Sequence, residues 1–560
     1  MVRWILLPLI AFAALWLRTH DLAARPMHAD EANQAVKFGE LLEHGRYAFD
    51  PRDHHGPTLY YAALPIAWAR GQTTLAALDE TTVRLVPAFA GTASVLLIFV
   101  LALPLGTWPA LMAAALLAVS PPSVYYARYY VQETLLVTFT LALCVCAREW
   151  WRRRTPAWAL AAGACLGLMQ ATKASAPIFV LAALAAAWIA SRLAAAGAKR
   201  DSEFVAPASA GTDRSAGTDQ IPAEAGASNS SARSASLRAI SRALALALAA
   251  AFAVAALFYS SFGTHLAGLR DAVATYGATS ARLDAGLTGH EKPWWYYASL
   301  FGWERRTGVV FEQVAFSLLA LAGGALALRS ATRGTGLPPR DPSIVLPSAT
   351  STASPANRLL LFAALYVFFL FACLSFPAYK TPWHAIHFVP PLALLAAAAL
   401  RALALPRSTS SLLPGALAAA LALLSLATLA YQTRLTSFLR PADPRNPYAY
   451  VHTSRDALKI PALATAALAA TAAHFSSQPP QPAQPIRVIS EEYWPLPWYF
   501  RGFEKNVGYW PAPPADCDGP LVLASEKNAA AVRARLRGAY AESIVGLRPG
   551  FILVVFTRLP

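Results

Sequence analysis

Residues 83–103 read VRLVPAFAGTASVLLIFVLAL, an apolar run with a single charged side chain, Arg84. A run of roughly 20 apolar residues has the length that an α-helix needs to cross the hydrocarbon core of a bilayer. A membrane-spanning β-strand would be about half as long and would alternate apolar and polar residues. The run therefore predicts a transmembrane helix.

Ten other runs of this kind lie along the chain. The predicted spans are residues 4–18, 83–103, 108–124, 131–148, 157–172, 175–193, 239–262, 309–328, 358–376, 384–404 and 411–432. The chain of 560 residues is 56% hydrophobic and 14% charged, whereas soluble domains are roughly a quarter charged. The sequence thus predicts an α-helical polytopic membrane protein with about 11 transmembrane helices.

The arginines predict which side of the membrane each loop occupies. They cluster in short loops between spans, as the positive-inside rule describes for cytoplasmic loops. The clustered arginines are Arg148, Arg152, Arg153, Arg154, Arg329, Arg333, Arg401 and Arg407. With Arg3 also inside, an odd number of spans leaves residues 19–82, 263–308 and 433–560 outside. We therefore expect a multi-pass protein of the inner (plasma) membrane.

The net charge of +16 suggests a nucleic-acid partner only until the position of the arginines is considered. Many of them lie in the predicted cytoplasmic loops, and the sequence has no stripe of basic and aromatic residues of the kind that binds nucleic acid. We predict no nucleic-acid partner.

Three long segments differ from the spans in composition. Residues 197–237 and 329–357 are rich in small and polar residues, which predicts disordered cytoplasmic loops because such segments bury little apolar surface. Residues 433–560 alternate short apolar strands with a helix over 526–537. This order predicts a small extracytoplasmic α/β domain, which follows a transmembrane domain of residues 1–432.

Residues 26–33, PMHADEAN, follow the first span and place Asp30 and Glu31 side by side at the membrane boundary. Burial near a bilayer penalises the ionised form of a carboxylate. An adjacent pair there suggests a general base or a cation site. The alternative is a solvated helix start, because acidic side chains are favoured in the first helical turn. Position alone leaves both interpretations open.

Other outside segments combine ionisable and aromatic residues. They are residues 54–61 (HHGPTLYY), 120–133 (SPPSVYYARYYVQE), 170–173 (QATK), 290–297 (HEKPWWYY) and 379–384 (YKTPWH). Arg128 and Glu133 are site candidates, since ionisable residues at membrane depth are functional by default, or they form a local ion pair. Lys173 is a candidate phosphate ligand or a side chain that only extends to the membrane surface. The histidines suggest a metal site, or polar packing at headgroup level.

All these segments share one face of the membrane in the predicted topology. Cations recognise phosphate, carboxylates carry out proton chemistry, and the membrane boundary suits a lipid tail. The ionisable candidates on this face are Asp30, Glu31, Glu133, Arg128, Lys173 and Lys380.

In the order and sidedness of these motifs the chain resembles the GT-C superfamily of polytopic membrane glycosyltransferases. That superfamily includes the protein O-mannosyltransferases and the aminoarabinose transferase of lipid A. The pattern is most similar to the prokaryotic flippase-activity-associated protein group, which shares the tail segment WPLPWY at residues 494–499. The resemblance covers nearly the whole chain except the two predicted disordered loops, and it implies a GT-C type fold.

The resemblance also implies a reaction. A sugar would be transferred from a polyprenyl-phosphate donor in the membrane to a glycan, lipid or protein acceptor. Asp30 would be the general base of one inverting displacement, and Glu31 beside it would orient the acceptor or a cation. The implied donor phosphate-binding residues are Arg128, Lys173 and Lys380. The implied acceptor- and substrate-binding residues are Glu133, His55, Tyr60, His290, Trp294, Tyr297 and His384.

The chain departs from the better-known members where Ala32 and Asn33 follow the acidic pair, because those members have an aromatic or basic residue there. The identities of donor and acceptor therefore stay open. A divalent cation is a candidate cofactor, with no ligand set assigned.

Two other functional classes stay open. A flippase or flippase accessory would handle lipid-linked sugars without catalysis, and a transporter should show repeated halves and ionisable residues at mid-membrane. The sequence shows no clear repeat. A scaffold would bind a cell-envelope partner through its α/β tail, in which residues 494–503 would form a lid over the site or part of the domain core.

Overall fold

The structure is a computed structural model that describes residues 2–51, 55–205, 223–284, 291–332, 354–405, 413–474 and 484–559. Its first sixteen helices are α1 (Val2–Thr19), α2 (Ala29–His44), α3 (Thr58–Ala69), α4 (Glu80–Ala102), α5 (Thr107–Val119), α6 (Pro121–Tyr126), α7 (Glu133–Arg153), α8 (Pro156–Thr172), α9 (Ala176–Val205), α10 (Ala223–Tyr259), α11 (Ala267–Asp284), α12 (Tyr296–Leu300), α13 (Val314–Thr332), α14 (Pro355–Ser375), α15 (Val389–Ala404) and α16 (Leu413–Arg434). An antiparallel hairpin, β1 (Trp303–Arg306) and β2 (Val309–Glu312), precedes α13.

The C-terminal part is mixed in secondary structure. Its helices are α17 (Ile460–His474), α18 (Leu496–Tyr499) and α19 (Glu526–Arg533), and its strands are β3 (Ile486–Ile489), β4 (Val507–Trp510), β5 (Leu521–Ser525), β6 (Tyr540–Arg548) and β7 (Phe551–Arg558). The strands form one sheet in the order β4-β3-β5-β7-β6. β3 runs parallel to both β4 and β5, whereas β7 is antiparallel to β5 and β6. The predicted small α/β region is therefore confirmed.

A helix overlaps every predicted span. Among the described residues, eight helices are long and apolar enough to cross a membrane, and two shorter apolar helices lie at Trp4–Thr19 and Thr107–Val119. The predicted α-helical membrane fold is confirmed, while the count of eleven crossings stays a prediction.

Two predicted boundaries were wrong for local reasons. The predicted span 309–328 begins with strand β2, and its helix starts only at Val314. The predicted span 108–124 is divided at Ser120, where α5 ends and α6 begins with Pro121 and Pro122. Proline has no backbone N–H to continue the hydrogen bonds of a preceding helix, so it favours the start of a new one.

The predicted disordered loops differ from the structure at their ends. Helices α9 and α10 extend into residues 197–237 from both sides, and residues 206–222 lie outside the described part of the chain. Helices α13 and α14 do the same at residues 329–357, of which 333–353 are outside it.

Glycines let two spanning helices approach closely. Gly163 and Gly167, one turn apart on α8, face the backbone of Ala247 and Ala251 on α10, and a Cβ atom at either glycine would overlap it. Small residues four apart are a common device for packing membrane helices. The contact fixes α10 against α8.

The first outside loop and the C-terminal sheet share one hydrophobic core. Helices α2 and α3 contribute Phe38 and Leu59, the sheet contributes Ile486 and Val488, and α18 contributes Trp498, all of them 0% exposed. The WPLPWY segment is thus part of a core, one of the two alternatives that the sequence left open. The C-terminal domain is packed against α2, the helix that begins with the acidic pair.

Candidate active site

The acidic pair opens α2 with two side chains in different surroundings. His28 is the N-cap, and its Nδ1 accepts the backbone N–H of Asp30 at 3.1 Å. The Glu31 carboxylate in turn accepts the backbone N–H of His28 at 3.1 Å. This reciprocal arrangement is a capping box, which satisfies donors that the first helical turn would otherwise leave without partners.

Glu31 is fully enclosed by protein donors. Its carboxylate accepts Nε and a terminal N–H of Arg84 at 2.8 and 2.9 Å, a terminal N–H of Arg25 at 2.9 Å, and the backbone N–H of Tyr130 at 2.9 Å. Burial alone would raise the pKa of Glu31, but the charges of Arg25 and Arg84 and these hydrogen bonds lower it to about 2. Glu31 is therefore ionised, and it stands in contact with protein groups instead of facing an acceptor as the resemblance implied.

Asp30 is the open member of the pair. Its side chain is 47% exposed, and its carboxylate lies 3.7 Å from Nδ1 of His28. Since Nδ1 accepts the N–H of Asp30, the ring proton of His28 is on Nε2, which donates to the carbonyl of Tyr450 at 3.0 Å. Burial, the main cause, lowers the pKa of His28, so the ring is neutral at pH 7. Asp30 is thus an accessible carboxylate on a fixed support.

Arg84 holds the chain that leads into α2. Besides binding Glu31, its guanidinium donates to the carbonyls of Leu22 and Arg25 at 2.7 and 2.8 Å, and to that of Pro26 at 3.1 Å. Its side chain is 0% exposed. The prediction of site residues missed Arg84, although a lone charge in an apolar run is a signal of function by default.

Arg128, which the resemblance implied as a phosphate ligand, contacts backbone carbonyls in this structure. Its guanidinium donates to the carbonyls of Leu17, His20 and Asp21 and lies 4.5 Å over the ring of Phe438. These carbonyls are at the end of α1, where a helix leaves acceptors without intrahelical partners. Arg128 therefore caps α1, and no pair with Glu133 is found.

Glu133 pairs instead with Lys173. Glu133 is the first residue of α7 and is 3% exposed, whereas the Lys173 side chain, just after α8, is 13% exposed. His55 forms a β-bridge with Lys173, and the N–H of Gly56 donates to the carbonyl of Thr172 at 3.0 Å. The structure thus brings the first outside loop, α7 and α8 together around one ammonium group.

Lys380 is 1% exposed, and its ammonium donates to the carbonyls of Lys292 and Pro377. It therefore joins the segment before α12 to the segment after α14, and its ammonium is directed toward the protein backbone. The neighbouring Tyr297 is 1% exposed, and its hydroxyl lies 3.2 Å from Nδ1 of the half-buried His384.

The other predicted substrate-binding residues are dispersed. Tyr60 is 1% exposed, and its hydroxyl donates to Gln34 inside the core, so it is not on a surface that a substrate can reach. Trp294 is 63% exposed at the outer end of the bundle. His290 lies outside the described residues, as does His54 of the proposed metal interpretation.

An apolar slot lies between four helices. The space in it that is not filled by protein atoms is about 420 Å³, and this includes the part open to the surroundings. Its lining comes from α4, α7, α14 and α15 and comprises Ile98, Leu101, Val137, Thr140, Leu141, Cys144, Phe362, Ala363, Tyr366, His387, Pro390, Pro391 and Leu394. The slot is thus mostly apolar, and its lining includes the imidazole of His387, which lies just before α15.

His387 was not predicted from the sequence. It is 4% exposed, stacks on Phe179 with 4.0 Å between ring centres, and its Nε2 has no hydrogen-bond partner among the described residues. Its ring centre is 6.3 Å from that of His384, and the ammonium of Lys173 acts electrostatically on both. The two histidines three residues apart on one helical turn could have signalled a shared face.

A metal centre has no support from the part of the chain that the structure describes. No group of three or more His, Cys, Asp or Glu side chains there is placed to hold an ion. The divalent cation considered from the sequence stays a prediction.

Comparisons with known proteins agree with this architecture. The family model described as dolichyl-phosphate-mannose-protein mannosyltransferase matches residues 63–200, about a quarter of the chain. The match includes Arg84, Glu133 and Lys173 and excludes Asp30. No curated protein sequence matches the chain.

Two solved structures resemble the whole fold. The first is the crystal structure of ArnT from Cupriavidus metallidurans bound to undecaprenyl phosphate, with a TM-score of 0.57, 14% identity, and coverage of 98% of this chain and 97% of that chain. The second is the archaeal oligosaccharyltransferase AglB from Archaeoglobus fulgidus in complex with an inhibitory peptide and a dolichol-phosphate, with a TM-score of 0.52, 13% identity, and coverage of 97% and 73%. The chain has the GT-C fold of polytopic membrane glycosyltransferases.

Proposed function

We propose that this protein is a membrane glycosyltransferase that transfers a sugar from a polyprenyl-phosphate donor to an acceptor on the extracytoplasmic face of the inner membrane. The observation that carries the proposal is the difference in surroundings between the two acidic side chains. Glu31 is bound to Arg25 and Arg84, which fixes the start of α2, while Asp30 stays open. An enzyme needs an accessible carboxylate held in place in this way for proton transfer.

Asp30 acts as the general base in this proposal. It takes the proton of an acceptor hydroxyl as the oxygen attacks the anomeric carbon of the donor sugar. The bond from that carbon to the phosphate oxygen breaks, and the polyprenyl phosphate leaves with both electrons. A single displacement inverts the configuration at the anomeric carbon. The acceptor is a glycan, a lipid or a protein.

The slot and Lys173 form the donor site. An apolar slot suits the first part of a polyprenyl chain. The ammonium of Lys173, which acts electrostatically on His387 in the slot lining, suits the phosphate, whose charge increases as the bond breaks. The lining of α7 runs from Val137 to Cys144, and seven residues of helix rise about 10 Å. His387, whose Nε2 lacks a protein partner, is a further contact for a phosphate oxygen at the mouth of the slot.

Two features agree with this assignment. The solved structures with the same fold contain undecaprenyl phosphate and dolichol-phosphate. The pairing of Lys173 with Glu133 also keeps the ammonium in place before a donor arrives.

The test is a transfer assay with purified protein in lipid nanodiscs, a panel of polyprenyl-phosphate sugars, and chelator present or absent. Asp30→Asn should lower transfer at least 100-fold, since general bases contribute about 10²–10⁴-fold. The matched control is Glu40→Gln, which removes an exposed carboxylate from the same helix α2 and should leave transfer unchanged.

Transfer by Asp30→Asn at the wild-type rate would refute Asp30 as the base. Movement of the lipid-linked sugar across a vesicle membrane, with no transfer by wild type under any condition, would favour the flippase alternative. Loss of transfer with chelator and recovery with one divalent metal would establish a cofactor.

A further inference from the structure

The backbone that leads into α2 is bound by protein groups at successive positions. Arg84 binds the carbonyls of Leu22, Arg25 and Pro26, as described above. The N–H groups of His28 and Asp30 are bound within the capping box. Pro26 has no N–H to satisfy. Met27 lies between Pro26 and His28, and none of these contacts binds its backbone N–H.

The partner of Met27 comes from the C-terminal domain. The backbone N–H of Met27 donates to the hydroxyl of Tyr499 at 3.0 Å, and both residues are buried. Met27 is three residues before Asp30, so this bond holds the chain just ahead of the proposed base. The carbonyl of Tyr450, which accepts Nε2 of His28, holds the same stretch from the segment that follows α16.

Tyr499 is held in this position by its neighbours. The indole N–H of Trp498 donates to Glu80 at the start of α4 at 2.7 Å, and Nε of Arg501 donates to the carbonyl of Leu78 at 2.9 Å. The guanidinium of Arg501 also lies 4.1 Å over the ring of Trp498. Residues 498–501 therefore attach to the first outside loop at three points.

We propose that Tyr499 is a positioning residue for Asp30, and that the C-terminal domain is a required part of the active site. This inference rests on the proposed glycosyl transfer. The hydroxyl of Tyr499 holds the backbone of Met27. Through residues 27–30, this contact also fixes the direction of the Asp30 carboxylate. A displacement of about 1 Å at a reacting group can lower a rate about 100-fold, so one lost anchor of this kind has a measurable effect.

The test compares two tyrosine-to-phenylalanine variants of the full-length protein. Tyr499→Phe keeps the packed ring and removes the acceptor of the Met27 N–H. Tyr540→Phe is the matched control, because its hydroxyl also accepts a backbone N–H, that of Gly519 at 3.3 Å, but entirely within the C-terminal domain. Both are measured by hydrogen–deuterium exchange of the peptide covering residues 22–32 and by transfer kinetics.

Tyr499→Phe should accelerate amide exchange in residues 22–32 at least 10-fold, lower kcat about 10-fold and leave the donor KM unchanged, while Tyr540→Phe should change none of these. Unchanged exchange in Tyr499→Phe would overturn the inference. Faster exchange with wild-type kcat would overturn it as well, since the anchor would then be structural only. If the wild-type protein transfers no sugar, the proposed function fails. The exchange measurement still tests the anchor on its own, because an exchange rate in Tyr499→Phe equal to that of the wild type would refute it.

Discussion

Replacing Glu31 with glutamine tests the central support of the site. Glutamine keeps the shape of the side chain but removes its charge. Arg84, whose side chain is 0% exposed, and Arg25, at 7%, would then be buried without their counter-charge. The NH₂ group of the amide would also face N–H donors whose hydrogen bonds the carboxylate now accepts, so two donors would oppose each other. We therefore expect Glu31→Gln to destabilise the folded protein.

The expected magnitude follows from the burial of the ion pair. Removing one member of a buried ion pair costs about 3–5 kcal/mol in other proteins, mainly because a charge is left unpaired. The charges of Arg25 and Arg84 also lower the pKa of Glu31 in the folded chain, so the folded site favours the ionised form. We therefore expect a loss of about 3–5 kcal/mol.

The assay is equilibrium unfolding of purified protein in mixed micelles, followed by tryptophan fluorescence. The matched control is Glu149→Gln near the C-terminal end of α7. Glu149 also binds three arginines, but the side chains of Arg152 and Arg153 are 62% and 54% exposed. Water can solvate these arginines once the carboxylate is gone, so the control should lose about 1 kcal/mol or less.

Equal losses in Glu31→Gln and Glu149→Gln would refute this reasoning, because burial would then have no effect on the value of the ion pair. A gain in stability for Glu31→Gln would refute it more strongly. A double-mutant cycle of Glu31→Gln and Arg84→Met should show a loss smaller than the sum of the two single losses, because the two side chains bind each other directly.

Three further predictions follow from the same contacts. The pKa of Glu31 is depressed in the folded chain, so the stabilisation by its carboxylate is present above pH 4.5 and is lost as the pH falls toward 2. The difference in unfolding free energy between wild type and Glu31→Gln should therefore shrink over that range when unfolding is measured at stepwise pH. Gly163→Leu should cost about 1–3 kcal/mol in the same unfolding assay because it overfills the contact with α10, whereas Gly415→Leu, with no atom within 4 Å of an added Cβ, should be neutral. Lys173→Met should raise the donor KM at least 10-fold in the transfer assay while Lys173→Arg retains most affinity, and equal KM values for the two variants would exclude a charge contact with phosphate.

The sequence predicted the parts of the fold that depend on local composition. Runs such as residues 83–103 place the helices, because apolar length and periodicity are properties of neighbouring residues. Strand β6 gives little sequence signal because it lies at a sheet edge, where four of its nine residues are exposed and only two are buried. Strand β4, which includes Gly508, is too short to signal itself.

The candidate site was predictable in its composition but not in its pairing. Asp30 and Glu31 look equivalent in the sequence, and only the distant Arg84 makes one of them a support and leaves the other open. Arg128 and Glu133 are five residues apart and suggested a local pair, yet each binds residues at least 40 positions away. Such contacts depend on the packing of the bundle, which no local pattern records.

The bond between Met27 and Tyr499 has a consequence for biogenesis. The two residues are 472 positions apart, and at about 5–20 residues per second a ribosome needs roughly 20–100 s to add the second after the first. During that interval the emerging chain already has its acidic pair but lacks one anchor of residues 27–30. Under the proposed glycosyl transfer, a chain that ends before Tyr499 would therefore be a poor catalyst, and activity would begin only when the C-terminal sheet has folded against α2.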